Sequence, residues 1–173
     1  MTADVHYHAD TADYLKQAAL PYTVVNNTLY ADLIPFLIGK NVLAEGVSIP
    51  AGDGKTPFLP LAEMAEALAV VLTTPGHENK EYVIAAETAY SFAEIADLLS
   101  DFTGKKIAYD QPEVGSYVAR LVKDGFPEDD AAYLGRFAGA IAKGEFDTEK
   151  SDVKQLLSRS PISLKEFLRT IYN

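Results

Sequence analysis

The sequence contains no cysteine and no tryptophan, and its 15 Lys and Arg residues are outnumbered by 25 Asp and Glu residues. Without cysteine the chain can form neither disulfides nor thiolate metal sites, and it has no cysteine nucleophile. The formal net charge of −10 has the wrong sign for neutralising nucleic-acid phosphates or for binding an anionic lipid surface. We therefore expect neither nucleic acid nor membrane as a partner.

Long apolar runs are also missing. The most apolar segments, residues 29–39 and 61–72, are interrupted by Asp32 and by Glu63, and neither reaches the roughly 20 residues of a membrane-spanning helix. Residues 1–8 lack the basic and apolar regions of a signal peptide, so we expect a cytoplasmic protein. A length of 173 residues with 48% apolar residues predicts a single domain over residues 1–173.

The common motifs of nucleotide enzymes are absent. Gly54-Lys55-Thr56 lacks the glycine that a phosphate-binding loop needs five residues earlier, and Pro57 blocks the helix that should follow. No G-x-G-x-x-G occurs, and no tyrosine has a lysine four residues later. His6 and His8 are a lone pair of potential metal ligands, and solvated side chains are the more common outcome, so we predict no metal site.

Hydrophobic patterning predicts an α/β fold. Short β-branched and apolar runs predict buried strands at residues 22–26 and 82–86, with further short strands at 106–109 and within 42–50. Helical spacing and capping signals predict helices over residues 9–19, 29–38, 60–74, 91–104, 112–123, 127–143, 152–157 and 163–172. Because only helices follow residue 109, we expect a few short, mostly parallel strands with a helical C-terminal cap.

Two further patterns are given structural interpretations. Gly135 and Gly139 are spaced four apart within a predicted helix, which favours close contact with a neighbouring helix. The acidic run at residues 128–130 follows Pro127, where carboxylates stabilise a helix N-terminus through its dipole.

Several segments, in their order and spacing, resemble the C-terminal part of NmrA-like atypical short-chain dehydrogenases, closest in kind to the NAD(P)H:quinone oxidoreductases. They are residues 22–27, 51–55, 62–67, 75–82, 91–96, 103–105 and 156–164. Members of that family begin with a Rossmann half whose glycine-rich loop holds the cofactor pyrophosphate. The resemblance therefore implies the C-terminal, substrate-side portion of a Rossmann-type fold, without the N-terminal dinucleotide-binding half.

The resemblance also implies which residues face the cofactor and the substrate. Relatives carry Arg-Asn-Gly-Trp-Tyr where this chain has residues 26–30, so the asparagine and the tyrosine are retained. The implied cofactor-binding residues are Val25, Asn26 and Asn27, and the implied substrate-binding residues are Thr28 and Tyr30. Asn27 either contacts the cofactor or orders its loop, and Tyr30 either stacks on a quinone or packs in the core. No catalytic residue is assigned.

Three functions follow as expectations. The first is the substrate-binding part of an oxidoreductase that uses NADP or NAD to reduce a quinone or similar flat small-molecule acceptor. The second is a non-enzymatic redox sensor that binds dinucleotide and a partner protein, and the third is a fragment that folds but has no activity. For the chain alone we expect no bound cofactor and no turnover, and we expect self-association through the exposed edge of the strand at 22–26.

Overall fold

The computed structural model describes residues 11–18, 20–39 and 41–172. Its helices are α1 (residues 11–17), α2 (Ile34–Ile38), α3 (Val42–Glu45), α4 (Leu61–Thr73), α5 (Phe92–Thr103), α6 (Val114–Lys123), α7 (Glu128–Ala142), α8 (Val153–Leu157) and α9 (Leu164–Tyr172). Its strands are β1 (Thr23–Asn27), β2 (Val47–Ser48), β3 (Lys80–Ile84) and β4 (Tyr109–Asp110). The α/β class predicted from the sequence is confirmed.

Two helix starts agree with the prediction because capping boxes determine them. Ser91 Oγ accepts the Glu94 N–H and the Glu94 carboxylate accepts the Ser91 N–H, so α5 begins where the capping box places it. The same helix ends at Gly104, whose φ of +67° is unfavourable for other residues. Ser163 and Glu166 form the same reciprocal bonds at the start of α9.

The helix predicted over residues 29–38 is divided into two pieces. A 3-10 turn at Ala31–Leu33 precedes α2, and Pro35 lies in the first turn of α2. Proline fits there because the first turn needs no intrahelical N–H donor. The turn also caps the next long helix, since Asp32 Oδ2 accepts the N–H of Leu61 at 2.8 Å.

The strands form two separate parallel pairs, which confirms the mostly parallel prediction. β1 pairs with β3 in a register from Thr23 opposite Lys80 to Asn27 opposite Ile84, and β2 pairs with β4. The prediction that the first strand is buried is wrong. Every residue of β1 is half-buried or exposed, because β3 is its only strand partner among the described residues.

The other strand predictions need new boundaries. β3 begins and ends two residues before the predicted 82–86, and Ala86 gives its N–H to Pro57 instead of to a strand. Within residues 42–50, a helical turn precedes the two-residue strand β2. The strand predicted at 106–109 is reduced to β4, which pairs only with β2.

Two hydrophobic clusters form the core. The larger one joins α2, α5, α6 and α7, and includes Phe58 and Phe92 packed edge to face with ring centroids 5.9 Å apart. The smaller one lies between the β1–β3 pair, α4 and α8, and contains Met64, Tyr82 and Val153. No helix in the described ranges has the length and apolar character needed to cross a bilayer.

The glycines of α7 differ in their packing. A Cβ atom on Gly135 would lie 2.8 Å from Val118 Cγ2, so α6 and α7 approach closely there and the prediction is confirmed. A Cβ atom on Gly139 would meet nothing within 4 Å, so the prediction is wrong for that residue. The acidic residues Glu128, Asp129 and Asp130 lie in the first turn of α7, as predicted.

Candidate functional site

The carboxyl ends of β1 and β3 lie side by side. Asn27 is opposite Ile84, and the N–H of Thr28 donates to the Ile84 carbonyl at 3.0 Å. In open parallel α/β sheets, ligands bind at the carboxyl ends of the strands. The segment predicted to face cofactor and substrate therefore ends at the edge where a ligand is expected.

Residues 56–59 run between this edge and the loop after β3. The Ala31 N–H donates to the Leu59 carbonyl at 2.9 Å, which ties the segment to the residues after β1. On the other side, Thr56 and Tyr90 exchange two main-chain hydrogen bonds of 3.0 Å. Residues 56–59 thus link the loop after β1 to the loop after β3 through main-chain hydrogen bonds.

A small cleft opens beyond the carboxyl end of β3. Its volume is about 140 Å³, and it is lined by Ala86, Glu87, Thr88, Tyr90, Pro161, Ile162, Ser163 and Leu164. Typical small-molecule pockets have volumes of roughly 300–1,000 Å³. The cleft therefore has room for one part of a flat ligand and needs further walls to enclose a whole one.

One wall of the cleft belongs to the α8–α9 linker, residues 158–163. The linker is attached to α4 through Glu63, whose carboxylate accepts the Ile162 N–H at 3.0 and 3.1 Å. Arg159 donates to Glu63 at 2.5 Å and to Glu66 at 2.5 Å. Glu63 has only 8% of its surface exposed, and both of its carboxylate oxygens accept hydrogen bonds from the linker.

The predicted site residues lie at the carboxyl edge, but none of them lines the cleft. Val25 and Tyr30 are half-buried and pack against the smaller core cluster, so packing accounts for much of their surface. Asn26 and Asn27 are exposed and available to a ligand or partner. Thr28 is half-buried. The five residues thus lie at one edge of the strand pair, but they differ in how much of each is exposed to solvent.

Two threonine hydroxyls at this edge are buried without a hydrogen-bond partner in the described part of the chain. They are Oγ1 of Thr28 and Oγ1 of Thr56, and Thr56 is fully buried. An unpartnered buried hydroxyl is costly unless water or a ligand satisfies it. Each hydroxyl can donate and accept a hydrogen bond, but neither oxygen is reached by solvent in this structure, and neither is suited to general acid–base chemistry at neutral pH.

Titratable groups with altered pKa values serve the fold. Hydrogen bonds from Lys55 and from the Ser91 backbone lower the pKa of Glu94 at the start of α5. Burial raises the pKa of Tyr109 to about 12, and its hydroxyl donates to the Gly52 carbonyl at 2.8 Å. Neither residue lines the cleft, so a catalytic acid or base is not assigned.

The alternative motifs have structural explanations. A Cβ atom on Gly54 would lie 1.8 Å from the Ile141 carbonyl oxygen, so this glycine is needed for close packing of its turn against α7. In the described structure no helix follows it before α4, so the helix N-terminus that a phosphate-binding loop needs does not follow this turn. The described residues contain no group of three or more potential metal ligands; His6 and His8 lie outside them.

Sequence reasoning missed Glu63, Thr56 and the linker as parts of the site. The only available signal was indirect: residues 62–67 and 156–164 belong to the resemblance reported above, and in the structure these two segments contact each other. Periodicity alone could not reveal that contact, because the bonded residues are 96 and 99 positions apart in the sequence.

Comparison with known proteins identifies relatives for nearly the whole chain. No family model matches it. Quinone oxidoreductase 2 of Escherichia coli K12 is 29% identical over 168 residues, which cover 96% of this chain and 58% of that protein. An NmrA-like family domain-containing oxidoreductase of Aspergillus flavus is 21% identical over 95% of this chain and 54% of that protein.

Solved structures agree with the sequence matches. Triphenylmethane reductase of Citrobacter sp., solved with NADP(H), superposes with a TM-score of 0.85 at 30% identity, covering 95% of this chain and 58% of that one. An Escherichia coli NADPH-dependent quinone oxidoreductase complexed with NADPH gives a TM-score of 0.82 at 25% identity, covering 96% and 59%. The chain spans less than two thirds of the length of each. Over nearly all its residues, it is similar to the C-terminal part of NmrA-like NAD(P)H-dependent oxidoreductases.

Proposed function

We propose that this chain is the C-terminal, substrate-binding part of an NAD(P)H-dependent oxidoreductase that reduces a quinone or a similar flat acceptor. The observation that carries the proposal is the match to quinone oxidoreductase 2 over 96% of the chain. The position of the cleft beyond the carboxyl end of β3 supports it, since that is where ligands bind in parallel α/β sheets.

The polar groups at the end of β1 fit the nicotinamide end of a dinucleotide. Asn26 and Asn27 offer exposed side-chain amides. The described residues offer no matching site for the pyrophosphate, because Gly54 is packed against α7. When bound, NADP or NAD supplies the hydride, and residues 25–27 of this chain would orient its nicotinamide ring.

The acceptor is proposed to lie between the β1 edge and the cleft. Thr28 and the exposed part of Tyr30 are the proposed contacts to the acceptor. The Thr28 hydroxyl is buried in this structure and would have to turn outward to bond a quinone oxygen. Ile162 and Tyr90 provide apolar and aromatic surface within the cleft. Hydride transfer from a nicotinamide depends on distance and orientation more than on a dedicated acid, which is consistent with a site that has no assigned catalytic residue.

The test is a titration of NADPH with this chain, followed by the fluorescence of the cofactor. The sequence has no tryptophan, so protein background is low. We expect no saturable binding, because the described residues offer no phosphate site, and such a site contributes about three charge-assisted hydrogen bonds worth roughly 1.5–3 kcal/mol each. NADPH oxidation with a quinone at a rate proportional to the concentration of this chain would contradict the requirement for a separate dinucleotide-binding half.

A second candidate is a non-enzymatic redox sensor that binds dinucleotide and a partner protein. It is favoured by the exposure of Asn26 and Asn27 and by Thr28 and Leu29, which stand where enzymes of this kind carry glycine and tryptophan. A longer form of the protein that binds NADPH but fails to oxidise it with any quinone would favour the sensor. We propose a cytoplasmic location for either function.

A further inference from the structure

We propose that Glu63 is a positioning residue for the acceptor cleft: it fixes the wall formed by the α8–α9 linker through its bonds to Ile162 and Arg159. The inference deepens the proposed function and rests on it for the identity of the ligand. Glu63 lies on α4, outside both the lining of the cleft and the segment after β1.

The linker depends on few contacts for its position. Residues 158–160 and 162–163 are exposed, and Ser158 ends α8 in the left-handed conformation with a φ of +55°. Polar bonds from the linker to α4 are made through Glu63 and Glu66 alone. A segment with little buried surface opens readily, so the bonds that Glu63 makes to the Ile162 backbone determine where Ile162 lies.

The two carboxylates on α4 are not equivalent. Glu63 is nine-tenths buried and binds both the Ile162 backbone and Arg159. Glu66 is exposed and binds Arg159 only. A buried carboxylate that loses its partners is costly, whereas an exposed ion pair contributes little. Glu66 is therefore a matched control on the same helix, opposite the same arginine.

Loss of the Glu63 bonds should change the shape of the cleft, because the residue that Glu63 holds is itself part of the cleft lining. The Ile162 N–H that donates to Glu63 belongs to a residue that lines the cleft. Pro161 on one side and Ser163 on the other are also lining residues. Movement of this peptide group alters three of the eight lining residues. The lining residues at 86–90 are held by the bonds between Thr56 and Tyr90.

The experiment measures amide hydrogen exchange and ligand binding by NMR in four forms of this chain: wild type, Glu63→Ala, Glu63→Gln and Glu66→Gln. We expect the Ile162 amide to exchange at least about tenfold faster in Glu63→Ala, while the amides of Tyr82 and Ile84 in β3 change less than about twofold. Glu63→Gln keeps one carbonyl acceptor and should restore part of the protection. Glu66→Gln should stay within about twofold of wild type.

The binding probe is 1,4-naphthoquinone, followed by the shifts of the amides at residues 86–90 and 162–164. We expect its dissociation constant to rise by at least about threefold in Glu63→Ala and to be unchanged in Glu66→Gln. The inference is overturned if Ile162 exchange in Glu63→Ala stays within about twofold of wild type, or if β3 accelerates equally. Absence of naphthoquinone binding in the wild type would count against the proposed acceptor, while the exchange data would still decide the role of Glu63.

Discussion

β1 and β3 are five-residue parallel strands of the same pair, yet their environments differ sharply. β3 has β1 on one side and residues 151–152 on the other, where Asp152 accepts the Val83 N–H and donates its own N–H to the Val83 carbonyl, both at 2.8 Å. β1 has a strand partner on one side only within the described residues. Tyr82 and Ile84 of β3 are buried, and no residue of β1 is.

The difference shows that neighbours, rather than composition, decide burial. Val24 and Val25 give β1 the β-branched character of a buried parallel strand. They remain half-exposed because the second edge of β1 has no covering strand in the described structure. β1 is therefore suited to receive a further strand, whereas β3 is already complete.

The largest expected effect is on the covered edge of β3. Asp152→Ala leaves the Val83 N–H without its acceptor, and we expect a loss of about 1–3 kcal/mol in the free energy of unfolding. Asp152→Asn keeps an acceptor and should lose less. Urea denaturation measures both, with Asn26→Ala on β1 as the control, expected within about 0.5 kcal/mol of wild type. If Asp152→Ala and Asn26→Ala lowered the free energy of unfolding equally, β3 would not be better protected than β1.

The open edge of β1 predicts self-association of this chain. Sedimentation velocity at about 0.1 mM should show species larger than a monomer. Val24→Lys places a charge on the edge strand and should weaken association about tenfold. Leu72→Lys, at a residue with 83% of its surface exposed on α4, is the control and should leave association unchanged. A monomer alone at that concentration would contradict this role for the edge.

His77 joins both strands, which allows a direct comparison. Its ring nitrogen Nδ1 is 2.7 Å from the Tyr82 hydroxyl of β3, and its carbonyl accepts from Thr23 Oγ1 of β1 at 2.7 Å. Tyr82→Phe should cost about 1 kcal/mol, because Tyr82 is only 6% exposed and its part-buried bond to His77 is lost. Thr23→Val should cost about 0.5 kcal/mol, since water can reach the half-exposed site. Thermal unfolding measures both losses. A larger loss of stability in Thr23→Val than in Tyr82→Phe would show that β1 is the better-protected strand.

The smallest effect concerns the contact between α1 and β3. The hydrogen bond to Glu81 raises the pKa of Lys16 above its usual 10.5. A raised folded-state pKa gives stability that is present below pH 10.5 and is lost as the pH rises through the folded value. Lys16→Gln should therefore differ from wild type at neutral pH and converge with it at strongly alkaline pH, as measured by urea midpoints. If the urea midpoints of the two proteins changed with pH in parallel, the predicted loss of the Lys16 contribution at high pH would be contradicted.

Much of the fold could be predicted from local patterns. Capping boxes at Ser91 and Ser163 located two helix starts, and the parallel α/β class was correct. Strand boundaries were less accurate, because β2 and β4 are two residues long and have little sequence signal. For the candidate site, residues 25–30 lie at the carboxyl edge of the β1–β3 pair, and their roles as cofactor and substrate contacts remain predictions.

The sequence by itself determined the local features: helix ends, the turn before Pro57, the absence of a phosphate-binding loop and the resemblance to an oxidoreductase family. These depend on residues a few positions apart, whose backbone preferences act without distant partners. Only the tertiary structure decided that Glu63 on α4 meets Ile162, and that β3 rather than β1 is covered on both sides. Such contacts join residues about seventy to a hundred positions apart, and their formation depends on packing of the whole chain.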